Sequence, residues 1–197
     1  MDLLAHPPLY YILAYFIGAI PFGYIFTKVL THKDIRRFGS GSVGATNALR
    51  SGSTLAGIAT LACDTAKAYG CLAFLKHIGA NVHEIGFSGI ILIIGHCWPL
   101  WLGFKGGKGI AVFLGIIFTH DYFPYAMTLL GVIPALIIIK ATRLSSLGTL
   151  TGISLSLGYG LYAQHIAFLY GGIMYALIIW QHRGNIQRLV YAEEGRI

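Results

Sequence analysis

Charge is what this sequence has least of. Only 11% of its 197 residues are Asp, Glu, Lys or Arg, and just seven are acidic. An average soluble domain carries about 25% charged residues. A chain this poor in charge cannot cover a water-facing surface, which excludes a soluble globular domain, a disordered tail and a coiled coil. Cysteine is scarce too. Cys63, Cys71 and Cys97 lie in apolar runs without a CxxC pattern. They read as small buried residues, not as a disulfide framework or metal ligands. Glycine is abundant, at 26 residues, but has no G-X-Y period, so collagen is excluded. The opening MDLLAHPP has no basic stretch, which argues against a cleaved secretory signal.

What is present is apolar. Hydrophobic residues make up 56% of the chain, and mean hydropathy is +0.70. This is the composition of a mostly helical integral membrane protein. Seven apolar runs are candidates for spans: Pro8 to Val29, Ser53 to Leu75, Ile85 to Leu102, Gly109 to Phe118, Phe123 to Ile139, Leu147 to Tyr162 and His165 to Trp180. The fourth is short: it either starts at Lys108 as a half-length or tilted helix or shares one re-entrant pair with the fifth. Joining it to the fifth would put Thr119, His120 and Asp121 in hydrocarbon, so a short outer turn is expected there. The expected fold is all-α: one domain over residues 1–197, a bundle of seven transmembrane helices.

Net charge is +7, and its placement argues for topology, not for nucleic acid. Lys33, Arg36, Arg37, Arg50, Lys105, Lys108, Lys140, Arg143, Arg183, Arg188 and Arg196 fall between alternate runs or in the tail. The opposite side holds only Lys76. The bias puts the N-terminus outside and the C-terminus in the cytoplasm, which requires an odd number of spans. Anionic lipid headgroups or phosphorylated substrates are the second explanation for the positive charge.

Three motifs then share the cytoplasmic face: FGSGSVGATNALR (Phe38 to Arg50), GFKGGKG (Gly103 to Gly109) and HRGNIQRL (His182 to Leu189). Glycine allows backbone to approach a ligand and to take positive φ. Successive N–H groups then form an anion nest. Ser40, Ser42 and Thr46 add hydroxyls, and Arg50 offers a forked guanidinium. Lys105 and Lys108 place compact charge beside Gly106 and Gly107. Both glycine loops run toward apolar spans, whose N-termini would also favour an anion. The pattern describes a phosphate pocket at the membrane surface. Lys33, Arg36, Arg37, Lys140 and Arg143 read as topology charges alone.

Familiar signatures fail. Gly39, Gly41 and Gly44 fit G-x-G-x-x-G with Asp64 twenty residues on, but no strand precedes them and Asp64 lies inside an apolar run. Walker A, the G-x-S-x-G elbow, HExxH and Cys/His clusters are missing. No histidine is followed five positions later by aspartate, so HxxxxD acyltransferase chemistry is missing as well. Asp64 and Lys67, three apart in mid-span, share a helix face; they read equally as a functional pair or as a structural tie. His96, in GHCWP, either fixes a loop or lies near substrate. Pro99 marks a kink or helix stop, and Trp98 and Trp101 suit the membrane interface. His182 and Asn185, just past the last run, can orient a hydroxyl or carbonyl. The other histidines read as loop or span-end residues.

These motifs resemble, in order and topology, the bacterial acyl-phosphate-dependent glycerol-3-phosphate acyltransferases. The resemblance spans nearly the whole chain: IPFG (Ile20 to Gly23), DIRRFGSGSVGATNALR, D-x-x-K (Asp64, Lys67), GHCWP, GFKGGKG and HRGNIQRL. It implies an enzyme of the bacterial cytoplasmic membrane with its active site facing the cytoplasm. The reaction implied moves a fatty acyl group from an acyl phosphate to the 1-hydroxyl of glycerol-3-phosphate, giving lysophosphatidic acid and inorganic phosphate. No cofactor or metal is implied, and a monomer among membrane lipids is expected. By motif position, Ser40, Arg50 and Lys108 would bind the glycerol-3-phosphate phosphate. Gly41, Ser42, Gly44, Thr46, Asn47, Lys105, Gly106 and Gly107 would line the substrates, with Lys105 and the glycine backbone toward the acyl phosphate. His182 and Asn185, with Lys108, would act on the reacting groups, and Asp64, Lys67 and His96 would support them. Three positions depart from the family's usual residues: Ser42 for Asn, Ala68 for Gly and Val112 for Thr. A transporter of a phosphorylated solute and a non-catalytic lipid-binding scaffold are the competing classes. The few polar residues in most spans count against the transporter.

Overall fold

The computed structural model describes residues 7–119, 125–163 and 167–196. Among them all regular structure is helical: α1 (Pro7–Gly18), α2 (Phe22–Thr31), α3 (Ala45–Arg50), α4 (Thr54–His77), α5 (Val82–Cys97), α6 (Ile110–Ile117), α7 (Tyr125–Thr142), α8 (Ser145–Tyr162), α9 (Ala167–Gln181) and α10 (Arg183–Val190), with two short 3₁₀ turns. Among the described residues, four stretches are long and apolar enough to cross a membrane: Pro7–Thr31, Thr54–His77, Val82–Leu102 and Tyr125–Thr142. The chain divides into two compact units at Thr119 and His120. Most of the turn expected around Thr119–His120–Asp121, and the expected starts of spans at Phe123 and His165, lie outside the described residues.

In the first unit the first expected span is two helices, not one. Pro21 has no N–H and cannot continue α1, so the chain breaks at Ala19–Pro21. A break at membrane depth frees carbonyls that water cannot reach, and each must find a donor. The Ile20 carbonyl accepts from Lys67 Nζ at 2.7 Å. The Ala19 carbonyl accepts from Trp101 Nε1 at 2.6 Å. Sequence pattern alone does not show this broken helix, because Gly18 to Pro21 is as apolar as its flanks.

Small residues let the backbones of this unit touch. Gly18 and Gly95 lie where any Cβ would strike the facing backbone of α5 and α1 respectively. Gly115 of α6 does the same against Thr65 of α4, and Thr65 Oγ1 donates to the Ala111 carbonyl at 3.2 Å. Close approach through small residues is the usual way helices associate in lipid. α5 begins with a capping box, in which Asn81 Oδ1 accepts from the Glu84 N–H at 3.1 Å and Glu84 Oε2 accepts from the Asn81 N–H at 2.7 Å. It ends at Cys97, two residues before Pro99, so the proline is a stop. α6 has only eight residues, the half-length helix expected of the fourth run.

The second unit is built on the antiparallel pair α7 and α8. Gly152 of α8 meets the Gly131 backbone of α7, and Gly148 meets the Ala135 carbonyl. The turn between the helices is tight. Arg143 takes φ 62°, and Thr142 Oγ1 accepts from the Leu144 N–H at 3.1 Å. α9 packs on α8, and α10 touches both.

Candidate active site

The first motif folds into a loop that is shaped by one side chain. Gly39 and Gly41 have φ of 52° and 69°, values that residues with a Cβ rarely adopt. The loop then curls around Asn47, which is buried in α3. Asn47 Nδ2 donates to the carbonyls of Ile35 (3.1 Å), Phe38 (3.0 Å) and Ser42 (2.9 Å). Its Oδ1 accepts from the Ser40 N–H at 3.3 Å. This amide is committed to loop backbone and sets the loop's shape. Ser40 and Ser42 lie on the outer side, their hydroxyls 3.0 Å apart. The Arg50 stem passes beside Gly39. Thr46 is half-buried in α3. The loop does not lead straight into a span as expected. Gly52, at φ 101°, ends the short α3 before α4 begins.

The second motif folds onto the end of α5. The Gly106 N–H donates to the Cys97 carbonyl and the Gly107 N–H to the His96 carbonyl, each at 3.0 Å. Helix ends leave carbonyls unsatisfied, and this loop supplies donors to two of them. Lys105 is exposed, and Lys108 is half-buried just before the N-cap of α6, Gly109. A hydrogen bond joins the motifs: the Val43 N–H donates to the Gly106 carbonyl at 3.4 Å. Two stretches whose bonded residues are 63 positions apart are thereby brought together as a glycine-rich platform.

Nearby exposed charge is organised differently. Arg36 pairs with Asp34 at 2.7 Å, and that hydrogen-bonded guanidinium holds the Asp34 carboxyl down at about 2. The pair caps a 3₁₀ turn and is not part of the platform.

The third motif lies in the second unit. His182 is the N-cap of α10 and is 2% exposed. Its Nδ1 lies 2.8 Å from the Ile178 carbonyl. A carbonyl only accepts, so Nδ1 carries the hydrogen and Nε2 is the basic nitrogen of the neutral ring. Asn185 Nδ2 donates to Glu194 Oε1 at 2.6 Å. Ser146 Oγ donates to the same oxygen at 2.8 Å, and Arg188 Nε donates to Oε2 at 2.9 Å. Desolvation pushes the Glu194 carboxyl up, but the donors Ser146, Asn185 and Arg188 together outweigh it and hold the carboxyl below its ordinary value.

Sequence reasoning missed Glu194 and Ser146. The tail reads as Arg-rich and topological, and Glu194 is adjacent to Glu193 with no motif around it. The usable signal was scarcity: a carboxylate is unusual in a chain with seven acidic residues.

The sequence and the fold are similar to those of known proteins. Residues 8–192 match the glycerol-3-phosphate acyltransferase family model. The chain belongs to the glycerol-3-phosphate acyltransferase family. Relatives of that name include one from Pelagibacter ubique, 38% identical over 93% of each chain. Another, from Erythrobacter litoralis, is 34% identical over all of this chain and 98% of its own. The crystal structure of PlsY (YgiH), an integral membrane glycerol 3-phosphate acyltransferase, matches in its glycerol 3-phosphate form with TM-score 0.88 and 31% identity, covering 97% of this chain and 95% of that one. Its lysophosphatidic acid form matches with TM-score 0.83. With its apolar helices, this glycerol-3-phosphate acyltransferase family member is an integral, multi-pass membrane protein.

Proposed function

We propose that this protein transfers a fatty acyl group from an acyl phosphate to the 1-hydroxyl of glycerol-3-phosphate. As a member of its family it is a glycerol-3-phosphate acyltransferase, the first acylation of phospholipid synthesis. The observation that carries the site assignment is the Val43–Gly106 hydrogen bond. It makes one platform of two loops that each suit a phosphate, and the reaction brings two phosphates together.

Ser40, Arg50 and Lys108 hold the acceptor's phosphate. Gly41, Ser42, Gly44, Thr46, Lys105, Gly106 and Gly107 line the substrates, and Asn47 keeps the loop in shape. An acyl phosphate is already an activated mixed anhydride, so no covalent enzyme nucleophile is needed. The acceptor hydroxyl oxygen attacks the acyl carbonyl carbon. The bond from that carbon to the phosphate oxygen then breaks, and phosphate leaves with the electron pair. His182 Nε2 takes the hydroxyl proton, and Asn185 orients the reacting groups. Positioning and charge stabilisation supply the rest. The whole chain acts as one functional domain and a monomer. It crosses the bacterial cytoplasmic membrane seven times, with its N-terminus outside and its C-terminus and active site in the cytoplasm. The Lys/Arg distribution supports that orientation.

The test is direct. Purified protein in detergent or lipid is incubated with palmitoyl phosphate and glycerol-3-phosphate, with palmitoyl-CoA in parallel. Stoichiometric phosphate and lysophosphatidic acid from the acyl phosphate alone are expected. Product from the CoA donor would overturn the donor assignment. No product from either, with folded protein, would return the transporter reading.

A further inference from the structure

Asp64, Lys67 and His96 take no part in the reaction above, yet all three are buried together. Lys67 Nζ lies 2.7 Å from Asp64 Oδ1, 2.7 Å from the Ile20 carbonyl and 3.3 Å from His96 Nδ1. An ammonium has three hydrogens to give and accepts none. Where it meets His96, the ring's Nδ1 is therefore the acceptor. His96 Nδ1 also lies 3.7 Å from Asp64 Oδ1. One side of the imidazole is thus fixed inside the helices, where the broken first span exposes the Ile20 carbonyl.

The other side of the ring meets the platform. A Cβ on Gly107 would run into the imidazole, first at Nε2. The His96 carbonyl also accepts from the Gly107 N–H at 3.0 Å. Both ring and backbone of one residue therefore seat Gly107, whose neighbour is Lys108.

We propose that His96, held by the Asp64–Lys67 pair, is a positioning residue that seats Gly107 and thereby sets where Lys108 presents its charge. This rests on the reading that Lys108 holds the glycerol-3-phosphate phosphate. It also gives Gly107 a specific reason to be glycine. The residue leaves room for the His96 ring, whereas an anion nest would need glycine for a ligand to touch the backbone.

The two explanations separate in a double-mutant cycle. Gly107→Ala forces ring or loop aside, and KM for glycerol-3-phosphate is expected to rise about tenfold or more, with kcat changing less. His96→Ala empties the ring's space and loosens the loop, with a similar rise. In His96→Ala/Gly107→Ala the methyl enters vacated space, so KM is expected to be no higher than in His96→Ala alone. His96→Asn, which keeps an acceptor near the Nδ1 position, is expected to restore most of the loss, and His96→Leu is not. Penalties that multiply in the double variant, or a Gly107→Ala that binds normally, would overturn the proposal. If His96→Ala does not fold, shown by loss of its thermal unfolding transition, His96→Ser takes its place in the cycle. Hydrogen exchange of the full chain gives a readout independent of catalysis. Asp64→Asn/Lys67→Met removes both charges together and releases His96. Amides in 103–109 are expected to exchange at least tenfold faster, with those of α7 and α8 unchanged; unchanged exchange in 103–109 would overturn the proposal. If the wild-type protein transfers no acyl group, the functional reading fails and the exchange result alone decides the positioning role.

Discussion

The glycine-rich platform and the C-terminal cluster solve one problem in opposite ways. The platform is held together mainly by backbone. Gly106 and Gly107 give their N–H groups to the carbonyls that end α5, Gly41 gives its own to Phe38, and a single buried amide, Asn47, keeps the first loop in shape. The cluster is held together by side chains. His182 leans on the Ile178 carbonyl, while Asn185, Ser146 and Arg188 converge on Glu194. Backbone donors need no rotamer to be held, but they tolerate no added Cβ. Side chains can be aimed at reacting atoms, but each needs a partner to hold it. The proposed phosphate binding falls to the first construction and the proposed proton transfer to the second.

The sharpest break in that comparison is His182→Ala. General-base catalysis contributes about 10²–10⁴ in rate. kcat is expected to fall within that range with KM for glycerol-3-phosphate little changed, measured by phosphate release. Full turnover would exclude a His182 base and leave a substrate phosphate oxygen as proton acceptor. Lys108→Ala follows in size. A hydrogen bond to a charged group is worth about 1.5–3 kcal/mol, roughly 10- to 100-fold. The loss is expected in KM for glycerol-3-phosphate. If Lys108→Ala lowered kcat alone and His182→Ala raised KM alone, the division of labour between platform and cluster would be wrong.

Smaller effects test how each construction is held. Glu194→Gln keeps the shape but trades charge-assisted hydrogen bonds for neutral ones, a loss of about 1 kcal/mol. Roughly fivefold in kcat is expected through a loosened Asn185. pH gives the same test without a mutation. The folded Glu194 carboxyl lies below its ordinary value of 4.5. Its contribution to stability is therefore fully present above that value and is lost as pH falls through the folded pKa. Exchange of the α10 amides is expected to quicken below pH 4.5 in the wild-type protein, and this acid step should vanish in Glu194→Gln. An equal step in both would assign the acid lability elsewhere. On the platform, Asn47→Ala leaves the Ile35, Phe38 and Ser42 carbonyls without that donor. A loss of about 1–3 kcal/mol in thermal stability is expected, together with a higher KM for glycerol-3-phosphate. A normal KM would mean that the loop holds its shape without the amide.

Much of the platform is legible from sequence, because glycine density and basic residues are one-dimensional signals. Where Asn47 points is not, since an asparagine among serines and glycines reads as another polar group facing substrate. The broken first span is hidden for a related reason. Pro21 is visible, but whether it kinks or divides a helix depends on donors that reach it from far along the chain, Lys67 and Trp101. The ion pair of Asp64 and Lys67 is legible at a spacing of three, whereas its third member, His96, comes from another helix. Glu194 was least legible of all. Its meaning comes from Ser146, forty-eight residues earlier, and from the turn that brings it back over α10.

That turn yields the smallest effect and the cleanest sign. After α10, Ala192 takes φ 58°. The Glu193 N–H donates to the Arg188 carbonyl at 2.7 Å and the Ala192 N–H to the Leu189 carbonyl at 3.2 Å. This is a Schellman pair, whose left-handed position is ordinarily glycine. An alanine there carries a steric cost of about 1 kcal/mol. The same turn delivers Glu194 to Ser146, Asn185 and Arg188, so the cost is borne where the side-chain cluster is assembled. Ala192→Gly is expected to raise thermal stability by up to about 1 kcal/mol, less the added freedom of the unfolded chain. kcat should stay within twofold, because the partners of Glu194 are unchanged. Ala192→Val, which adds β-branching at positive φ, is expected to destabilise and to lower kcat alongside Glu194→Gln. If Ala192→Val left kcat intact while stability fell, the turn would shape the tail without aiming Asn185. The cluster would then depend on Glu194's donors alone, as the platform depends on Asn47.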